Sequence, residues 1–173
     1  MIIYKHGDIF QGGEDVIVHG CNCFCTFGAG IALQVTKYYP DAFAEDKKTL
    51  VGDKTKLGTF TTVTCPHRFK EGQVTIVNAY TQYDCGAWKK PFDYDAFKTV
   101  CEHIKNRFGE KTIAMPKIGA GLAGGYWPRI AGIIEDVFGD KDIIVYLYAE
   151  SPCGLCDGEK TISDGIPCPM CGE

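Results

Sequence analysis

Apolar positions along this chain recur with two different spacings. Short β-branched runs read as strands: Ile2-Ile3-Tyr4, Val16-Ile17-Val18, Thr59 to Thr64, Val74 to Val77, Thr112 to Met115 and Ile143 to Tyr148. The turn-like Glu71-Gly72 separates the third from the fourth. Other stretches repeat with helical spacing. Ile31, Leu33, Val35 and Tyr38 predict a helix from Gly30 to Tyr39, closed by Pro40. A second, short helix is expected from Asp41 to Leu50. Phe97, Val100, Cys101, Ile104 and Phe108 predict a helix over Asp93 to Phe108, and the last runs from Trp127 to Phe138. Alternation of this kind predicts an α/β fold in layers, with helices flanking a mixed central sheet.

Two strand-to-helix junctions are rich in glycine. One is His19-Gly20-Cys21-Asn22 continuing through Gly28-Ala29-Gly30-Ile31-Ala32; the other is Pro116-Lys117-Ile118-Gly119-Ala120-Gly121-Leu122. Glycine lets backbone N–H groups approach a ligand, and a helix N-terminus favours an anion. Two such loops at the carboxyl ends of strands point to a ligand with two phosphates. Gly119 to Gly124 also matches G-x-G-x-x-G. A dinucleotide-binding fold needs a further βαβ unit after that motif, and here only one strand follows.

The chain has 173 residues, enough for one ordinary domain and a small appendage. The net charge of −4 gives no electrostatic reason to expect nucleic acid as the main partner. No apolar run approaches the length of about 18 residues that a membrane span needs, and no signal-type segment precedes Ile2. An intracellular, cytoplasmic protein is expected. Four of the ten cysteines lie in the tail and six are scattered through a body with enough apolar residues for its own core, which argues against a disulfide scaffold.

Apolar periodicity stops at Glu150-Ser151-Pro152, which sets the domains at 1–149 and 150–173. Beyond it, Cys153-Gly-Leu-Cys156 and Cys168-Pro-Met-Cys171 stand eleven residues apart. Four thiolates in two CxxC knuckles suit a closed tetrahedral site, hence a structural zinc, with a hairpin around Asp164-Gly165 joining them. The pairs resemble zinc-ribbon knuckles. The tail has one lysine, five acids counting Glu150, and no aromatic side chain, so a protein contact suits it better than a nucleic acid.

Four motifs in order carry a family resemblance: Gly7-Asp8-Ile9, Val16 to Asn22, Gly28 to Ala32, and Pro116 to Leu122. Residues 1–149 resemble a macrodomain, closest to the branch holding ADP-ribose-1''-phosphate phosphatases and terminal ADP-ribose glycohydrolases. The resemblance implies a three-layer fold, an ADP-ribose pocket and no organic cofactor. It assigns Asp8 and Ile9 to adenine, Asn22 to the distal ribose, and Tyr148 to adenine. Gly28, Ala29, Gly30 and Ile31 would wrap one side of the diphosphate, and Gly119, Ala120, Gly121 and Leu122 the other.

Turnover at the distal ribose needs acid–base help or a nucleophile. His19, with Asn22, is the leading catalytic candidate, because histidine titrates in the useful range. Cys21, Cys23 and Cys25 alternate and would share a face with His19 if the strand continued. The lysine and aspartate of the glycohydrolase branch fall at Gln82 and Ala123, which favours hydrolysis of the 1''-phosphate over deribosylation. Asp84 is a further loop acid within reach in sequence. Removal of ADP-ribose from protein or nucleic acid, and recognition of ADP-ribose without turnover, remain as alternatives. So does an interaction protein using the body as scaffold.

Overall fold

The computed structural model describes residues 1–85 and 91–147, together with the backbone of 161–162 and 166–167. In chain order its elements are β1 (Ile2–His6), β2 (Val16–Cys21), α1 (Gly30–Tyr38), α2 (Pro40–Asp46), β3 (Phe60–Pro66), β4 (Gln73–Tyr80), α3 (Tyr94–Phe108), β5 (Ile113–Pro116), α4 (Trp127–Phe138) and β6 (Ile143–Leu147). Two 3-10 turns, Ile9–Gln11 and Lys54–Lys56, interrupt the loops. Six strands form one sheet in the order β1-β6-β5-β2-β4-β3. The first five are mutually parallel, and β3 closes the edge antiparallel to β4. The mixed sheet between helices is the architecture that the alternating pattern predicts.

Side chains alternate across this sheet, so its central strands feed two cores. Val16 and Val18 of β2, Val77 and Ala79 of β4, and Met115 of β5 pack with Phe97, Val100 and Ile104 of α3 and Ile130 and Ile134 of α4. Ile17 and Cys21, with Ile76 and Tyr80, face the other way toward Val35 of α1, Ala42 of α2 and Phe10. Burying a side chain such as Ile104 or Ile134 contributes roughly 1.5–3 kcal/mol each. That apolar burial is why the central strands read as continuous hydrophobic runs.

The helix ends follow local chemistry. Asp93 caps α3 by accepting a hydrogen bond from Ala96 N–H at 2.9 Å. Pro40 ends α1 and occupies the first turn of α2, where its missing N–H costs nothing. Helix α2 stops at Asp46 and not at Leu50 as expected; Lys48 and Thr49 N–H donate to the Glu45 and Asp46 carbonyls in tight turns. In the tail, β7 (Thr161–Ile162) pairs antiparallel with β8 (Ile166–Pro167), and the turn expected at Asp164-Gly165 lies outside the described residues. Cys153, Cys156, Cys168 and Cys171, and Tyr148, lie outside the described residues. Among the described residues no helix is long and apolar enough to cross a membrane.

Candidate functional site

A cleft of about 1090 Å³ opens at the carboxyl ends of the parallel strands. Both glycine loops line it, one after β2 and one after β5, adjacent strands in the sheet. Open α/β sheets place ligands at this end because the loops there present helix N-termini and free backbone groups.

The first loop enters α1 with no side-chain cap; Ala29 is extended and Gly30 has φ +55°. The first N–H groups of the helix are therefore left for a ligand. A Cβ on Gly28, Gly30 or Gly121 would meet no atom within 4 Å, so these three positions border open space. The second loop is a chain of tight turns: Ala120 N–H donates to the Lys117 carbonyl at 3.2 Å and Gly125 N–H to that of Gly119 at 2.8 Å. Among the described residues, the N–H groups of Gly121, Leu122 and Ala123 have no acceptor. Gly119 holds φ +77°, and a Cβ there would lie 2.3 Å from the Phe92 ring. Only glycine gives the loop both that backbone and that approach.

Ile9, Asn22, Gly28, Ala29, Gly30, Ile31, Gly119, Ala120, Gly121 and Leu122 all line the cleft. Asp8 is not among its lining residues, although Gly7 and Ile9 beside it are. Its carboxylate accepts from Phe10 N–H at 2.9 Å and caps the first 3-10 turn. Asn22 borders the cleft, but its amide is engaged within the loop. Nδ2 donates to Thr26 O at 3.0 Å and Thr26 Oγ1 at 2.8 Å, while Oδ1 accepts from Phe24 N–H at 2.8 Å. The side chain braces the loop around the cleft.

His19 is placed differently from the expectation. It does not line the cleft, and it is fully buried against Phe27 and Asn78. Strand alternation points it into the layer with α1 and α2, away from the cleft-lining Gly20. Its Nε2 lies 2.7 Å from Asn78 Oδ1. Asn78 Nδ2 donates to Ala42 O and Thr61 Oγ1, so Oδ1 is the acceptor and His19 Nε2 carries the proton. Burial lowers its pKa to about 4, leaving it neutral at neutral pH. A group so enclosed cannot exchange protons with a ligand in the cleft.

The cysteines separate at the end of β2. Cys21 lies 3.6 Å from His19 Nδ1 and reaches the cleft floor, and burial raises its thiol pKa well above the usual range. Cys23 is pushed up to about 11, chiefly by burial. Cys25, at φ +55°, turns toward Lys56, whose Nζ lies 3.3 Å from its Sγ. That lysine is buried with Asp46, at 3.6 Å, and also donates to Thr49 Oγ1 and the Cys23 carbonyl. Tyr80 OH donates to Asp46 Oδ1. This ionic cluster underpins the Asn22 loop from below.

Sequence reasoning left several cleft residues unassigned, and three of them bring polar chemistry. Tyr146 lines the end near Ile9, and its hydroxyl donates to the buried Glu14, at 3.1 Å from Oε2. Burial first, then Glu14, raises its pKa to about 12. Lys117 brings a cation to the lining, and Thr81 brings a hydroxyl. A lysine inside the second loop was the one available signal. Among the described residues, the lining holds no carboxylate and no imidazole; its titratable groups are Cys21, Cys85, Lys117 and Tyr146.

Known proteins share this fold. Residues 18–134 match the Macro domain family, and the chain belongs to it. It is 38% identical over 154 residues to an uncharacterized 17.5 kDa protein of Enterobacteria phage T4, covering 84% of this chain and 95% of that one. It is 29% identical to the ADP-ribose glycohydrolase OARD1 of Bos taurus, over 85% of this chain and 90% of that one. It is 26% identical to the ADP-ribose 1''-phosphate phosphatase of Saccharomyces cerevisiae, over 84% and 97% of the two chains. The macrodomain of Mycobacterium tuberculosis DarG superposes with a TM-score of 0.67 at 24% identity, over 84% of this chain and 97% of that one, a likeness of fold.

Proposed function

We propose that this chain binds ADP-ribose across the cleft and hydrolyses a phosphate monoester at the 1'' position of its distal ribose. The observation that carries the reading is the pair of glycine loops on one cleft, with free N–H groups on Gly121 to Ala123 and an uncapped α1 N-terminus. A diphosphate is the ligand that two adjacent anion sites fit. Two relatives named for ADP-ribose chemistry support it.

In the reaction, water attacks phosphorus and the P–O bond to the distal ribose breaks. The ribose oxygen leaves with a proton, giving ADP-ribose and inorganic phosphate. Phosphoryl transfer relies mainly on positioning and charge stabilisation, with little covalent work for the protein. That suits a described lining of backbone N–H groups, one lysine and neutral polar groups. Deribosylation through a lysine adduct suits it less, since the family resemblance puts Gln82 and Ala123 where the glycohydrolase branch has its lysine and aspartate.

The lack of a carboxylate or imidazole among the described lining residues also favours a second reading, recognition without turnover. Incubation with ADP-ribose 1''-phosphate separates them. Phosphate release at a rate proportional to enzyme supports the phosphatase; tight binding with no release supports the reader. The four tail cysteines complete the proposal as ligands of one structural zinc.

A further inference from the structure

Thr81 carries a buried hydroxyl with no hydrogen-bond partner. The residue follows the last residue of β4, is 1% exposed, and lines the cleft. A buried polar group without a partner costs roughly 1–3 kcal/mol, so one that borders a ligand cleft calls for an explanation there.

Its position is fixed on both sides. Thr81 N–H donates to the Cys21 carbonyl at 3.1 Å, and its own carbonyl accepts from Asp93 N–H at 2.8 Å. The hydroxyl faces Gly20, another cleft residue: a Cβ on Gly20 would stand 3.0 Å from Thr81 Oγ1 and 3.1 Å from Ile118 Cγ2. Glycine at that position spares the hydroxyl the close contact that a side chain there would make.

The sheet order says which part of a ligand would reach it. From one end to the other, the cleft runs over β1 and β6, then β5 and β2, then β4. The glycine loops follow β5 and β2, so the diphosphate lies in the middle. Ile9 and Tyr146 take one end, and Thr81 stands at the other. Resting on the reading that the cleft takes ADP-ribose with adenine at the Ile9 end, we infer that Thr81 Oγ1 hydrogen-bonds a hydroxyl of the distal ribose. A hydroxyl both donates and accepts, which matches a ribose hydroxyl on either account. Thr81 thereby distinguishes ADP-ribose from ADP.

Calorimetric titration of the parent, Thr81→Val and Thr81→Ser with ADP-ribose and with ADP tests this. Valine keeps the shape and removes the hydroxyl; serine keeps the hydroxyl. Thr81→Val is expected to lose about five- to tenfold in affinity for ADP-ribose and nothing for ADP. Thr81→Ser retains parental selectivity. Because the hydroxyl has no partner in the free protein, Thr81→Val melts no lower than the parent. No loss of ADP-ribose affinity, or an equal loss for both nucleotides with a lowered melting temperature, overturns the inference. A parent that binds neither nucleotide overturns the ADP-ribose reading itself, and a parent that binds both but prefers neither overturns only the role of Thr81.

Discussion

His19 donates its Nε2 proton to Asn78 Oδ1 across 2.7 Å, joining β2 to its parallel neighbour β4 inside the layer covered by α1 and α2. The pair places histidine beneath the cleft as a fixed neutral strut. Its folded pKa of about 4 lies below the ordinary 6.5, so the unfolded chain takes up the proton first as pH falls. The contribution to stability is full above pH 6.5, is lost as pH drops toward 4, and totals about 3 kcal/mol. Urea denaturation across that window should show a steeper loss for the parent than for His19→Gln, which keeps a donor for Asn78. His19→Gln should still bind ADP-ribose. Parallel pH slopes, or loss of binding in a folded variant, would contradict this placement.

Gly121 offers the most direct probe of the phosphate cradle. It borders open space and, unlike Gly119 and Gly30, does not hold a positive φ. Gly121→Glu therefore keeps the loop while placing bulk and negative charge where the diphosphate would lie. Affinity for ADP-ribose should fall by more than about 100-fold, roughly 2.7 kcal/mol, with the melting temperature nearly unchanged. Equal affinity in parent and variant would remove this loop from the ligand site.

Lys56 and Asp46 are buried together, and the lysine also holds the Cys23 carbonyl and the Cys25 thiol. Removing one partner of such a pair leaves an uncompensated charge, which costs about 3–5 kcal/mol. Lys56→Met should lose stability on that scale in chemical denaturation, and should weaken ADP-ribose binding by loosening the Asn22 loop. A loss below about 1 kcal/mol would mean the pair is hydrated like a surface ion pair.

These cases show where sequence reading succeeds and where it stops. The central strands and α3 were legible because Val16 to Val18, Val74 to Val77 and Phe97 to Ile104 repeat at strand and helix spacing and are buried accordingly. The cleft was legible because glycine has few reasons to cluster after two strands. The direction in which His19 points was not, since a β-strand alternates faces and a short run does not say which face meets the cleft. Lys56 sits in the charged run Asp53-Lys54-Thr55-Lys56, which reads as solvated loop; its burial comes from Asp46 and Tyr80, distant in sequence. Asp8 was assigned by motif to adenine; that it also caps the first 3-10 turn is a feature of local geometry. Thr81 has no motif at all.

The tail should carry one zinc ion per chain, bound by Cys153, Cys156, Cys168 and Cys171. Four thiolates leave no position for water or substrate, so the metal should be without effect on chemistry in the cleft. Elemental analysis should find zinc in the full chain and none after truncation at Glu150, while ADP-ribose affinity stays within about twofold, under roughly 0.5 kcal/mol. Zinc retained by the truncated chain would move the metal to the body. Loss of nucleotide binding with the body still folded would couple the tail to the cleft.

We propose that the cleft between the two glycine loops holds ADP-ribose. Isothermal titration of the parent chain with ADP-ribose, at neutral pH and with no added metal, tests it most directly. The account predicts saturable heat at one nucleotide per chain, with a dissociation constant in the micromolar range or tighter, about −8 kcal/mol or better. It further predicts that the heat disappears in Gly121→Glu. A folded parent that gives no saturable heat with ADP-ribose, or a Gly121→Glu variant that binds as the parent does, would contradict it.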